Sequence, residues 1–454
     1  MGIEELRLVP SGKTIGRAIT PQEYYYYTHQ QDPDPRSICL TFLLHLTGTV
    51  DRELLVRAVQ SFVRHNSVYR TVFRVIDGDL YQEVLPMSAV PELEVPVYER
   101  PSETIEDRDR DIKAVIDELL ATPFDISRPE MMRPRLVVHA PERHTLMLAL
   151  HHLVWDEHVM RTIADELFRH YNLLREGGPT MAPPLQYIDY TEAVHHWPST
   201  STGSAQQRYW ANHLANAAPL DLKTDTPRDA FSARRASVPL GLTAEAVLPP
   251  HVVEVPAELK EAVKRVASEE GTTSNRIYLA MYARLLSEMS SQSDICIESA
   301  YQPWEARRAE THGFQGMLTT WTMFRVDMPL GVAFRDAVRR TDRVVKDGLA
   351  NGIIVEYYKL TNNDVRRVSF QDHGMTAPPM TTGGYVVSPG LHCAFIPPPF
   401  PSWKKPWEYH LSLYDRSDAP TTLMWTASPE LFRRETVVRN ADRYLEMLAE
   451  GTRA

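Results

Sequence analysis

Between residues 134 and 175 the spacing of apolar residues changes once, from the period of a strand to that of a helix, and the change falls at His151-His152. Residues 134–140 and 145–152 flank the charged turn 141–144 and read as a hairpin with Leu-rich inner faces. After Leu153-Val154-Trp155, Asp156 stands where a helix N-cap belongs. Met160, Ile163, Leu167, Tyr171 and Leu174 then form one apolar stripe over residues 157–175. A strand that hands over to a helix in this way belongs to an α/β architecture.

The same alternation runs along the rest of the chain. Residues 37–49 (SICLTFLLHLTGT) read as a buried strand, and Leu54, Leu55, Ala58, Val59, Phe62 and Val63 recur at helical spacing behind Asp51 as N-cap. Residues 71–75 and 80–85 flank Asp77-Gly78-Asp79, a hairpin turn signal. A second α/β set follows, with helices over 258–270, 274–288 and 332–349 and strands over 295–300 and 323–328. Composition shifts to small, polar and proline residues at 198–204 and 220–239, which places a lobe boundary near 179–204 and predicts domains over 1–185 and 186–454. Residues 395–403 (FIPPPFPSW) carry four prolines, which remove donors and fix φ, so this stretch is expected as a surface loop or strap and not as an interior strand.

Composition narrows the functions open to such a chain of 454 residues. Its 49 Lys and Arg against 59 Asp and Glu give a formal charge of -10, which argues against nucleic acid, whose phosphates call for clustered cations. Cys39, Cys296 and Cys393 are odd in number and widely spaced, so neither a disulfide framework nor a zinc motif is indicated, and a reducing cytoplasm fits. No run of about 18 apolar residues is present to span a bilayer, so no membrane association is expected. His151, His152, Asp156 and His158 do not make a metal site by spacing, because adjacent strand residues diverge and the pattern is not His-Glu-x-x-His.

The segment His151-His152-Leu-Val-Trp-Asp156-Glu157 resembles the His-His-x-x-x-Asp-Gly motif of condensation domains of non-ribosomal peptide synthetases, within the chloramphenicol acetyltransferase-like superfamily. Further segments agree in the order that family shows. Arg64-His65-Asn-Ser-Val-Tyr-Arg70-Thr71-Val-Phe73 resembles its Arg-His-x-x-Leu-Arg-Thr-x-Phe segment, and Tyr187-Ile-Asp189-Tyr190 its Tyr-x-Asp-Tyr segment. Residues 316–325 resemble Gly-x-x-x-Asn-Thr-x-x-x-Arg, and Thr20-Pro21-Gln22-Glu23 resembles the opening Ser/Thr-Pro-x-Gln signature. The resemblance implies two chloramphenicol acetyltransferase-like lobes in a V-shaped pseudo-dimer with the active site between them. It implies no permanently bound cofactor. The donor would be an acyl thioester on the phosphopantetheine arm of an acyl or peptidyl carrier protein, and the acceptor a small-molecule or carrier-bound amine or alcohol. With no adenylation domain or carrier attachment motif in the sequence, action in trans as a free-standing condensation enzyme of antibiotic-type secondary metabolism is expected.

Amide or ester formation from a thioester needs the acceptor proton removed as attack proceeds, and histidine titrates near neutral pH. Neighbouring strand residues face opposite ways, so one of His151 and His152 can reach a cavity while the other packs behind it. The resemblance assigns the catalytic position to His152, as general base or acceptor-positioning residue, and leaves His151 as packing. It gives Asp156 a scaffold role with an arginine partner, for which Arg307 in Gln302-Pro-Trp-Glu-Ala-Arg307 is the candidate. No Gly-x-Ser-x-Gly elbow calls for a covalent acyl-enzyme. Arg64, His65 and Arg70 are expected to hold the first lobe together, and Tyr187, Asp189 and Tyr190 to join the lobes. The aromatic run Tyr24 to Tyr27 reads as the start of a helix and His195-His196 as a solvated helix end, both outside the site.

The sequence departs from the family at Glu157, where the motif has Gly, and at Val159, where it has Ser. Glu157 borders the expected active site, and a side chain there could block conformations and approaches that Gly accepts. In the second lobe Thr320-Trp321 stand at the Asn-Thr positions, and the family's His-Gln-Asp-x-Pro-Phe-Glu segment is not recognisable over 352–358. Changes at the Gly also mark related non-catalytic recruitment domains. Two readings therefore stand beside the condensation enzyme: a docking domain for a carrier or tailoring enzyme, and an acyltransferase that takes acyl-CoA.

Overall fold

In a computed structural model the chain is described over residues 8–32, 34, 38–179, 185–228, 248–301, 313–352, 365, 367–373, 385–396, 407–415 and 419–453. The strands are β1 Ile15–Arg17, β2 Cys39–Gly48, β3 Thr71–Ile76, β4 Asp79–Val84, β5 Val97–Glu99, β6 Met132–Ala140, β7 Arg143–His151, β8 His251–Glu254, β9 Asp294–Tyr301, β10 Thr320–Asp327, β11 Val368–Asp372, β12 Tyr385–Ser388, β13 Leu391–Ile396, β14 Tyr409–Tyr414 and β15 Thr422–Ala427. The helices are α1 Thr20–Gln31, α2 Arg52–His65, α3 Ile105–Leu119, α4 Glu157–Arg175, α5 Tyr187–His196, α6 Ser201–His213, α7 Ala257–Glu269, α8 Ser274–Ser290, α9 Phe334–Ala350 and α10 Arg434–Arg453.

Two compact units emerge, each with its own sheet. One comprises Met1–Trp197, Trp304–Thr319 and Ala377–Trp403; the other comprises Pro198–Pro303, Thr320–Thr376 and Lys404–Ala454. Three lengths of chain thus build each unit. In the first, β12-β13-β2-β7-β6-β5 form a six-stranded sheet and β1-β4-β3 a smaller one. In the second, β10-β9-β11-β14-β15-β8 form a six-stranded sheet, with β11 parallel to both β9 and β14.

Local chemistry explains the elements of the first unit. The Asp51 carboxylate accepts from the Leu54 N–H at 2.9 Å and starts α2. Asp77 and Gly78 adopt φ of 51° and 89°, the left-handed pair that a two-residue hairpin between β3 and β4 requires. Strands β2 and β7 are buried on nearly every residue, as strands of a sheet covered on both faces are. Ile112 and Val115 of α3 pack against Leu43, Val137 and Met147 on one face. On α4 the buried stripe is Val159, Ile163, Leu167 and Tyr171, so Val159 takes the place expected for Met160, which is half-buried.

The proline-rich stretch needs a correction at its start. Phe395 and Ile396 belong to β13, an interior strand that pairs antiparallel with β2 through Phe395 opposite Leu44 and Ile396 opposite Leu43. The prolines come only after the last paired residue, so they do not interrupt the ladder. Residues 397–403 lie outside the described residues.

In the second unit, α7 to α10 cover one face of the sheet. Ile295, Ile297, Phe324, Val326, Phe370, Tyr409, Leu411 and Trp425 supply the strand side of that core. Among the described residues, no helix is long and apolar enough to cross a membrane.

Candidate active site

The histidine pair sits where β7 ends, and the two rings are treated differently by the chain. His151 is the last residue of the strand, while His152 opens a single 3-10 turn, His152–Val154, before Asp156 starts α4. Strand alternation therefore does not separate the pair; the turn does. His151 is fully buried, and its Nδ1 accepts from the Leu153 N–H at 3.1 Å. That bond puts the proton of the neutral ring on Nε2, which faces His29 Nδ1 at 3.3 Å. Burial first, then the nearby His29, His152 and Arg133, hold the His151 pKa well below the ordinary histidine value. It is a neutral hydrogen-bonding residue that shapes the turn.

His152 is half-buried and stacks between aromatic rings. Tyr25 of α1 lies 3.6 Å from it, centroid to centroid, at 14°, and Trp155 lies 4.1 Å away at 24°. Tyr25, left outside the site by sequence reasoning, is thus in direct contact with its central residue. An aromatic residue in an amphipathic helix looks like core from sequence, and only the docking of α1 reveals its partner.

Both oxygens of Asp156 are taken up by donors. Oδ1 accepts from the N–H groups of His158 at 2.8 Å and Val159 at 3.1 Å, which caps α4. Oδ2 accepts from the N–H groups of Leu318 at 2.7 Å and Thr319 at 2.6 Å and from the Thr319 hydroxyl at 2.8 Å. One carboxylate therefore joins the strand-to-helix turn to a segment from much later in the chain, within the same unit. Arg307, the expected partner, lies outside the described residues.

The same late segment collects the other motif residues. Tyr187 donates to the Met317 carbonyl at 2.8 Å, and Tyr69 donates to Gln315 Oε1 at 2.9 Å. Gly316 has φ of +139°, and a Cβ there would fall 2.1 Å from the Tyr187 ring, so this position needs glycine on both counts. Tyr187 was expected to join the lobes; the segment it holds belongs to its own unit. Asp189 accepts from the Ser11 N–H and hydroxyl, both at 2.7 Å. Further on, Arg325 pairs with Asp294 at 2.8 Å and donates to the carbonyls of His213 and Ala215, all in the second unit.

Glu157 is the first residue of α4 and its backbone is helical. Among the described residues, the positive φ values of non-glycine residues fall at Asp77, Asn216 and Ser291, so the conformation at 157 makes no demand for glycine. Val159 is buried in the core stripe, where a hydroxyl would need a partner. His195 is a correction: its Nε2 lies 3.2 Å from the carbonyls of Arg17 and Ala18, so the half-buried ring anchors α5 to β1 instead of standing in solvent. Among the described residues, no three His, Cys, Asp or Glu side chains group as metal ligands would.

A family model, Condensation domain, matches residues 17–453. The chain belongs to the condensation domain family. That family carries amide-forming acyl transfer in non-ribosomal peptide-type biosynthesis. Among curated relatives, phosphinothricin tripeptide synthetase PhsB of Streptomyces viridochromogenes is 28% identical over 354 residues, which cover 76% of this chain and 28% of that protein. The chain thus spans less than a third of that relative's length. Two solved condensation-type structures share the fold. The X-domain in complex with OxyB from teicoplanin biosynthesis gives a TM-score of 0.77 at 17% identity, covering 100% of this chain and 96% of that one. The first condensation domain of the calcium-dependent antibiotic synthetase, in complex with a substrate analogue, gives 0.70 at 17% identity, covering 96% of each chain. The two units described above are the two chloramphenicol acetyltransferase-like lobes of a condensation domain.

Proposed function

We propose that this condensation domain joins an acyl group, held as a thioester on the phosphopantetheine arm of a carrier protein, to an amine or alcohol, with His152 taking the acceptor proton. The observation that carries the reading is the division of labour at the turn. His151 is committed to the Leu153 N–H and buried, and Asp156 is committed to five donors, so His152 is the ionisable ring of the motif that stands half-exposed. In the step, the lone pair of the acceptor nitrogen or oxygen forms a bond to the thioester carbonyl carbon and its proton passes to the imidazole. The C–S bond then breaks, and the departing thiolate recovers the proton.

The test is product formation from a carrier-loaded acyl donor and candidate nucleophiles, read by mass spectrometry. His152→Ala is expected to lower turnover by roughly 100- to 10,000-fold, the usual range for a general base, in protein that remains folded by circular dichroism. Turnover within two-fold of the parent in a folded variant overturns the proposal. Running the CoA thioester of the same acyl group alongside separates a carrier-dependent enzyme from one that takes acyl-CoA.

A docking role is the second reading, supported by the similarity to a domain solved in complex with another protein, OxyB. It predicts carrier or partner-protein binding without turnover, and binding that survives His152→Ala.

A further inference from the structure

The imidazole of His152 is held by two rings from different elements. Tyr25 stacks at 3.6 Å and 14°, and Trp155 at 4.1 Å and 24°. Two rings so close and so nearly parallel to a third cannot share one of its faces without occupying each other's space, because stacked rings need van der Waals separation. Tyr25 therefore covers one face and Trp155 the other, and the part of the half-buried imidazole left uncovered by these rings is its edge, on which Nδ1 is itself buried.

Each ring reaches this place for a reason visible in its own element. Gln22 closes the start of α1 by accepting from the Ile19 N–H at 3.1 Å, which fixes the helix one turn before Tyr25. Trp155 is 4% exposed, and its Nε1–H is buried with no acceptor among the described residues. An unmade hydrogen bond opposes that placement, so the indole is held by packing: the stack on His152 and the edge contact with Phe42 at 6.0 Å.

Aromatic faces are the negative side of the ring quadrupole and attract a cation placed over them. A histidine between two such faces gains more from the pair when it carries a proton than when it is neutral. Burial alone would favour the neutral ring. We propose that Tyr25 and Trp155 are positioning residues that clamp His152 and raise its affinity for the proton it takes from the acceptor. The clamp rests on the reading of His152 given above, and it acts in the interval when the acceptor's proton has moved to the ring and has not yet passed to the departing sulfur.

Other ionisable residues belong to the same elements: helix α1 includes Glu23, Tyr24, Tyr26, Tyr27 and His29, and the turn and α4 include His151, Asp156, Glu157 and His158 in sequence. Arg133 of β6 acts on the neighbouring His151. All are unchanged when only Tyr25 or Trp155 is altered, so a comparison among those variants isolates the rings.

The experiment is an NMR titration of histidine-labelled protein, with the His152 resonance assigned by its disappearance in His152→Ala. Tyr25→Phe keeps the aromatic face, and its His152 is expected to titrate as in the parent. Tyr25→Leu and Trp155→Leu keep apolar cover but remove a face, and each is expected to lower the His152 pKa by roughly half a unit to one unit, a three- to ten-fold loss of proton affinity. The acidic limb of the rate profile should move to lower pH by the same amount, with KM for donor and acceptor unchanged. Leu variants that fold normally and titrate like the parent overturn the clamp. A shifted titration with full turnover in His152→Ala instead overturns the base role and leaves the ring stacking standing, so the two failures are told apart.

Discussion

A carboxylate offers acceptors only, and the surroundings of Asp156 consist of donors: four backbone N–H groups and one hydroxyl. An amide in its place presents one acceptor and one donor, so Asp156→Asn would aim an NH2 group at N–H groups already pointing inward. Both Asp156→Ala and Asp156→Asn are therefore expected to destabilise the protein by roughly 3 to 5 kcal/mol, checked by urea unfolding. Loss of activity in either variant would then follow the loss of structure. At this scale the sequence was partly legible. The His151-His152 pair, Asp156 as a cap and Gly316 all stand in recognisable patterns, whereas the partners of Asp156 Oδ2 do not. Backbone N–H groups at Leu318 and Thr319 leave no trace in side-chain identity, and Tyr25 carries no mark that sets it apart from the tyrosines beside it.

Elements were legible where their signals are local. The hairpin at Asp77-Gly78, the cap at Asp51 and the stripe along α4 all depend on residues within a turn or two of each other. Strand β13 is the opposite case. It comes from the far end of the chain and lies against β2, a register that no local pattern records. At the crossing point Gly48 has φ of +117°, and a Cβ there would fall 1.8 Å from the Gly390 carbonyl oxygen. Gly48→Ala must therefore distort its own backbone and push β13 away, at an expected cost of roughly 2 to 4 kcal/mol. Hydrogen exchange should show the amides of β13 and the facing edge of β2 losing protection first, with those of the β6–β7 pair holding on.

Across the whole molecule, buried histidines make the first unit sensitive to acid. His45, His144 and His170 are each brought down to about 4, chiefly by burial and then by Arg108, Arg52 and Arg169 respectively. The unfolded chain takes up protons near pH 6.5 where the folded chain does not, so stability is full above about 6.5 and falls as the pH drops toward 4. By pH 5 each histidine is expected to remove about 1 to 2 kcal/mol. Thermal unfolding followed from pH 7 to pH 5 should show the midpoint falling, with exchange rising in β2, β7 and α4 before it rises in α8 and β9. Equal loosening of both units would contradict this assignment.

The three-piece construction of the first unit also bears on how such proteins can be recombined. A donor of residues 1–197 alone would leave behind Leu318 and Thr319, which satisfy Asp156, and β13, which covers the edge of β2. Its histidine turn would lose its brace and its sheet would gain an open rim able to pair with other chains. Swapping this lobe between relatives therefore calls for three matched inserts, and a crossover drawn at one point in the gene would separate residues that the fold treats as neighbours.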